Sequence, residues 1–144
     1  MIEQDTVKLL RECDAGIAMG IDSIEDVLDR VESTALRQML TRCQQEHQKL
    51  QAEVNGLLKQ YQDDGKSPNP IAKGMSWMKT NMKMTLEGSD ATVADLMTDG
   101  CNMGVKSLNK YLNQYKAADE KSKDIAKRLI NLEQQLTLDL RSYL

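Results

Sequence analysis

The chain holds one histidine, His47, and it stands four residues after Cys43. On an α-helix that spacing puts an imidazole and a thiol on one face, a pair able to hold one zinc, iron or copper ion with help from other helices. Cys101 and Asp14 are the side chains the pattern offers as that help. Cys-x-x-x-His alone is a weak motif, however. The simpler reading is a small buried hydrophobe at Cys43 and a hydrogen-bonded core histidine at His47, with no cofactor. A second soft set, Met75, Met78, Met82 and Met84, suggests thioether ligands for Cu(I). Three of these fall at helical stripe spacing, where methionine fills a core or forms an adaptable contact surface. No order of nucleophile and base emerges from one histidine on a packing seam, and no glycine-rich phosphate loop follows a strand.

The elements that would position these residues are all helical. Leu36, Leu40, Cys43, His47, Leu50, Val54, Leu57 and Tyr61 step by four and three, which draws one continuous seam along a helix. A preceding helix carries Val7, Leu10, Asp14, Ile17, Ile21, Ile24, Leu28 and Val31, with Asp14 as its polar intruder. Ser33 is the expected N-cap between them. The run DDGKSPNP ends the second helix, and Pro70 suits the first position of another. Ser89 and Asp90 then restart a helix with a cap and an acidic first turn. The last helix points Ile125, Leu129, Leu132, Leu136 and Tyr143 inward. Helices are expected over about 4–31, 35–62, 70–87, 89–117 and 120–143 of a single domain spanning 1–144. No strand pattern occurs.

Two long antiparallel hairpins separated by a spacer of about 25 residues predict an all-α four-helix bundle with a long crossover that contains a short extra helix. Asp14 and His47 would then lie at different depths, offset by about 7 Å along the bundle.

Several local features carry a resemblance: Asp14 followed by glycines, the element Gly74-x-x-Trp77 with a lysine after it, the segment SDATVADLMTDGCNMGVKSLNKYL, and a leucine- and glutamine-rich last helix. Together these resemble an uncharacterised family of bacterial ferritin-like four-helix-bundle proteins, a domain of unknown function. The resemblance implies a ferritin-like fold and a bacterial, cytoplasmic setting, and no established activity. That family reads Gly-Glu where this chain has Gly100–Cys101. A ferritin-like carboxylate centre needs a Glu on each of two helices and Glu-x-x-His on the other two. Here Gln44 stands three before His47, Glu46 points about 100° away from it, and Glu133 and Asp139 on the last helix have no histidine. The di-iron positions are degenerate.

Charge narrows the partners. The net charge is −3, spread as −6 over residues 1–64, +3 over 65–88 and zero over 89–144. A mildly acidic chain with one small basic patch is a poor match for nucleic acid. No run of eighteen apolar residues suits a membrane span, and three scattered cysteines argue for free thiols in a reducing cytoplasm. The expected function is non-enzymatic: a bundle acting by self-association, as a homodimer, or by binding a protein partner. Its contact surface would be the basic, methionine-bearing crossover with Lys73, Met75, Trp77, Met78, Lys79, Met82 and Lys83. The alternative is a metal-binding or redox protein with a mononuclear thiolate–imidazole site in the core.

Overall fold

Ser33, Ser89 and Asp119 each cap a helix in the same way. Their side-chain oxygens accept the backbone N–H of Leu36, Thr92 and Ser122, satisfying one of the donors a helix start leaves free. In the computed structural model, which describes residues 2–61 and 89–144, these caps open three of four α-helices. The helices are α1 (Ile2–Leu28), α2 (Thr34–Gln60), α3 (Asp90–Gln114) and α4 (Glu120–Leu140), with a 3-10 turn at Arg141–Tyr143. No strand occurs among the described residues. The extra helix expected over 70–87 lies outside them. α1 stops short of Val31 because Arg30 and Val31 donate to the carbonyls of Val27 and Leu28, tightening the chain into a turn.

The apolar stripes pack as a bundle. α1 touches the other three helices, while α2 and α3 occupy a diagonal and are each held by α1 and α4. The hydrogen bonds at the two ends fix the helix directions. The carboxylate of Asp90, at the start of α3, accepts the N–H groups of Glu32 at 2.8 Å and Ser33 at 3.0 Å in the α1–α2 turn. At the other end, Asp5 and Thr6 of α1 accept the N–H groups of Ala117 and Asp119 in the α3–α4 loop. Tyr61, after α2, donates its hydroxyl to Asp119. So α2 ends at one end of the bundle and α3 begins at the other. α2 and α3 run parallel, and each is antiparallel to its hairpin partner.

Burial follows the α2 seam through Leu36, Leu40, Cys43, His47, Leu50 and Val54, then moves to Leu58 in the last turn in place of Leu57. On α1 the buried line is Leu10, Cys13, Ile17, Ile24, Val27 and Val31. It passes through Cys13 where the sequence pattern suggested Asp14. The two lines share Leu10, Ile17, Ile24 and Val31, and the buried one steps by three and four except between Ile17 and Ile24, where Gly20 takes the intervening place. The line chosen leaves the Asp14 carboxylate half-buried, avoiding the cost of several kcal/mol for a fully desolvated, unpaired charge. α1 runs unbroken through Gly16 and Gly20, and Ser23 is buried in it without starting a new helix.

Because Asp90 alone closes two N–H groups of the α1–α2 turn, Asp90→Ala will destabilise the bundle by about 1–2 kcal/mol. Urea unfolding should show a lower midpoint with an unchanged slope, and Asp90→Asn should lose less.

Candidate functional site

Two clusters of apolar side chains fill the bundle, one around Ile24, Leu40, Met97 and Leu136, the other around Ile17, Leu50, Leu108 and Leu129. Between them lies a polar layer to which each helix contributes one residue: Gly20, His47, Gly104 and Glu133. His47 is 2 % exposed and Glu133 7 %. Both are large side chains set against bare backbone. A Cβ on Gly20 would stand 2.6 Å from His47 Nε2, and one on Gly104 would stand 2.5 Å from Glu133 Oε2. Each hairpin therefore pairs a glycine on its first helix with a buried polar side chain on its second.

The hydrogen bonding of His47 fixes its tautomer. Nδ1 lies 2.8 Å from the backbone carbonyl of Cys43, one turn back, and a carbonyl can only accept. Nδ1 carries the proton, and Nε2 presents a lone pair that no protein group satisfies. Burial holds the imidazole below its ordinary pKa, outweighing the bond to Cys43. Glu133 Oε2 is likewise buried without a partner, and desolvation pushes this carboxyl up to about 8. At neutral pH both groups are uncharged.

They face a cavity of about 240 Å³ that runs mainly between α1 and α3. Its wall is built from small residues at matching intervals, Gly16, Gly20 and Ser23 on α1 and Gly100, Gly104 and Ser107 on α3. Met19, Met97, Leu108 and Leu136 add apolar surface, and His47 and Glu133 reach in from α2 and α4. Glu12 also lines the cavity. Its half-buried carboxylate is raised by desolvation, partly offset by a hydrogen bond from Tyr111.

The residues singled out from the sequence separate into three groups. His47 and Cys101 line the cavity. Cys43 sits beside His47, with Sγ 3.7 Å from Nδ1. Asp14 lies on the flank of α1, away from the cavity lining, with its carboxyl raised by partial burial. Lys73, Met75, Trp77, Met78, Lys79, Met82 and Lys83 lie outside the described residues. Glu133, weighed in the sequence only as a carboxylate without a histidine for a di-iron centre, is buried in the core, whereas Leu132, read as the inward position, is only partly buried. Its signal was present: Glu133 follows Leu129 by four and precedes Leu136 by three, the place His47 holds between Cys43 and Leu50. The repeated Gly-x-x-x-Gly-x-x-Ser of α1 and α3 was the other.

A metal centre does not fit this geometry. Cys43 faces the protonated Nδ1, so thiol and imidazole lone pair point to different places. Desolvation, the largest effect, pushes the Cys43 thiol up to about 12 and raises Cys101 further, far from the thiolate form that binds metal. Gln44 turns outward, donating to the Ile21 carbonyl and the Glu25 carboxylate. Glycines stand on α1 and α3 in the layer of His47 and Glu133. Among the described residues, no three His, Cys, Asp or Glu side chains converge closely enough to hold an ion. Among them too, no helix is long and apolar enough to cross a membrane. Comparison with protein-family models, curated proteins and solved structures gives no match for this chain.

Two outcomes follow from the layer. Gly56 has open space around its Cα, so Gly56→Ala should stabilise the protein by about 0.5–1 kcal/mol through helix propensity. Gly20→Ala gains the same propensity but drives a methyl into an imidazole tethered to Cys43, and should cost about 1–2 kcal/mol net in chemical denaturation. Glu133 gives a pH signature. The native state keeps its proton up to about 8, whereas the unfolded chain releases it near 4.5, so this group's contribution falls as pH rises between those values. Wild type should therefore lose stability relative to Glu133→Gln across that window and run parallel to it above. His47 acts oppositely, losing stability as pH falls below 6.5.

Proposed function

We propose that this chain is a ferritin-like bundle that works by reversible binding of a small molecule in its core and carries out no bond-breaking. The observation behind this reading is a cavity lined by His47 and Glu133, each of which keeps a buried polar atom, Nε2 and Oε2, without a hydrogen-bond partner. Leaving such atoms unsatisfied costs about 1–3 kcal/mol each, a cost that a bound guest removes. The volume suits a guest somewhat larger than benzene, which occupies cavities of about 150 Å³.

The ferritin-like assignment draws support from helix order. Two antiparallel hairpins with parallel middle helices are the order of ferritin-like bundles with one long crossover. In those bundles, inward carboxylates and histidines hold two metal ions. Here one histidine and one glutamate stand in the core layer, and glycines stand opposite them. Removing ligand side chains from two helices while keeping the backbone leaves a space of this kind. Among the described residues that line it, the one thiol, Cys101, is buried and held well above its ordinary pKa by desolvation. The buried thiols are held in their protonated form, and His47 has its one proton engaged with a carbonyl.

Thermal shift against fragments of up to about 15 non-hydrogen atoms tests the reading. A guest at a hundred times its Kd adds about 2.7 kcal/mol and should raise the wild-type Tm by several degrees. Ser23→Leu, which fills the cavity from α1, should keep the helical fold and show no shift. Equal responses from both proteins, or none from either, would dispose of a core binding site.

A further inference from the structure

The chemistry of the cavity wall narrows the guest, on the premise that the cavity is a binding site. The charged and titratable groups facing it from every helix are Glu12 of α1, His47 and its neighbour Cys43 of α2, Cys101 and Tyr111 of α3, and Glu133 of α4. No lysine or arginine is among the lining residues. α1, which forms one wall, carries seven carboxylates against two basic side chains over Ile2–Leu28. His47 can only accept through Nε2, and the Tyr111 hydroxyl is engaged with Glu12. The cavity therefore offers lone pairs and two carboxyl groups, with no cationic side chain among its lining residues. An anion would meet two carboxyl groups and no counter-charge.

Among the described residues, no three His, Cys, Asp or Glu side chains gather here to hold a metal ion. The thioethers of Met19 and Met97, with the Tyr111 ring, supply polarisable surface that tolerates an adjacent cation. We infer that the cavity takes a small organic ammonium, a primary amine on an apolar body about the size of one aromatic ring. Its charge pairs with the Glu133 carboxyl, and the imidazole of His47 forms part of the uncharged wall beside it. Glu133 enters as the neutral acid, so binding at neutral pH transfers its proton to solvent: the O–H bond breaks, a carboxylate–ammonium pair forms, and one proton is released per amine bound. Net charge balances, because the amine brings one positive charge in and the proton carries one out.

Isothermal titration calorimetry with phenethylamine, phenethyl alcohol and hydrocinnamate compares cation, neutral and anion on nearly one shape. The expected order has phenethylamine at least about tenfold tighter than the alcohol, with hydrocinnamate showing no binding. Amine affinity should rise by up to about tenfold per pH unit on approaching pH 8 and then flatten, with about one proton released in buffers of differing ionisation enthalpy. In Glu133→Gln, an isosteric change, amine affinity should drop to that of the alcohol and lose its pH dependence. Tighter binding of the alcohol or carboxylate, or pH-independent amine binding to wild type, would overturn the charge assignment while leaving a binding cavity in place. Failure of all three probes, with no fragment stabilising wild type over Ser23→Leu, would remove the cavity's role altogether.

Discussion

The contact of a large polar side chain with a glycine backbone, made once in each hairpin, is the constraint on which this bundle depends. An imidazole and a carboxyl group can be withdrawn from water at the centre of four helices only if the facing helix gives up its own side chain. Gly20 and Gly104 do so, and the ring and the acid occupy the volume a Cβ would claim. A helix normally loses about 1 kcal/mol by carrying glycine in its interior. That loss recurs here at Gly16, Gly20, Gly100 and Gly104, all on the cavity wall. Their concentration on one pair of facing surfaces ties them to the polar layer and its space.

The arrangement has the character of a two-fold repeat. α1 and α3 are antiparallel, bear the same small-residue spacing and flank the same space. α2 and α4 each insert one titratable group at the matching level. Apolar clusters above and below hold the layer in place, so a cavity at mid-height interrupts the core without removing either cluster. The buried groups differ in the protonation state that desolvation favours. The histidine loses affinity for a proton and the glutamic acid gains it, so each is left neutral without a partner. The layer is thus desolvated without fixed charge, and it gains polarity only from what enters it.

Much of this was legible in the residue pattern. The α2 seam was clear from Leu36 to Val54, where apolar positions recur without competition, and only in the last turn did Leu58 displace Leu57; His47 stood out as its polar member. Ser33 and Ser89 marked helix starts through the local chemistry of capping. α1 was ambiguous for a physical reason. Two neighbouring lines of residues were equally apolar, and only tertiary packing decides that Cys13 enters and Asp14 stays at the edge. Glu133 was legible as a carboxylate of the last helix but not as its core residue, because Leu132 beside it competes for the inward position between Leu129 and Leu136. The cavity itself depends on a relation between helices far apart in sequence, glycine on one and a long polar side chain on another. Periodicity within a single helix does not report that relation.

The closures at the two ends join segments far apart in the chain. The turn of the first hairpin is tied down by Asp90 of the second, and the loop of the second is tied down by Asp5 and Thr6 of the first. For these four N–H groups the acceptor lies on the other hairpin. The loops, ordinarily the first places to open, can open only as the two halves part. The halves therefore form one cooperative unit, and exchange of the amide hydrogens of Glu32, Ser33, Ala117 and Asp119 becomes a readout of hairpin association, not of local fraying.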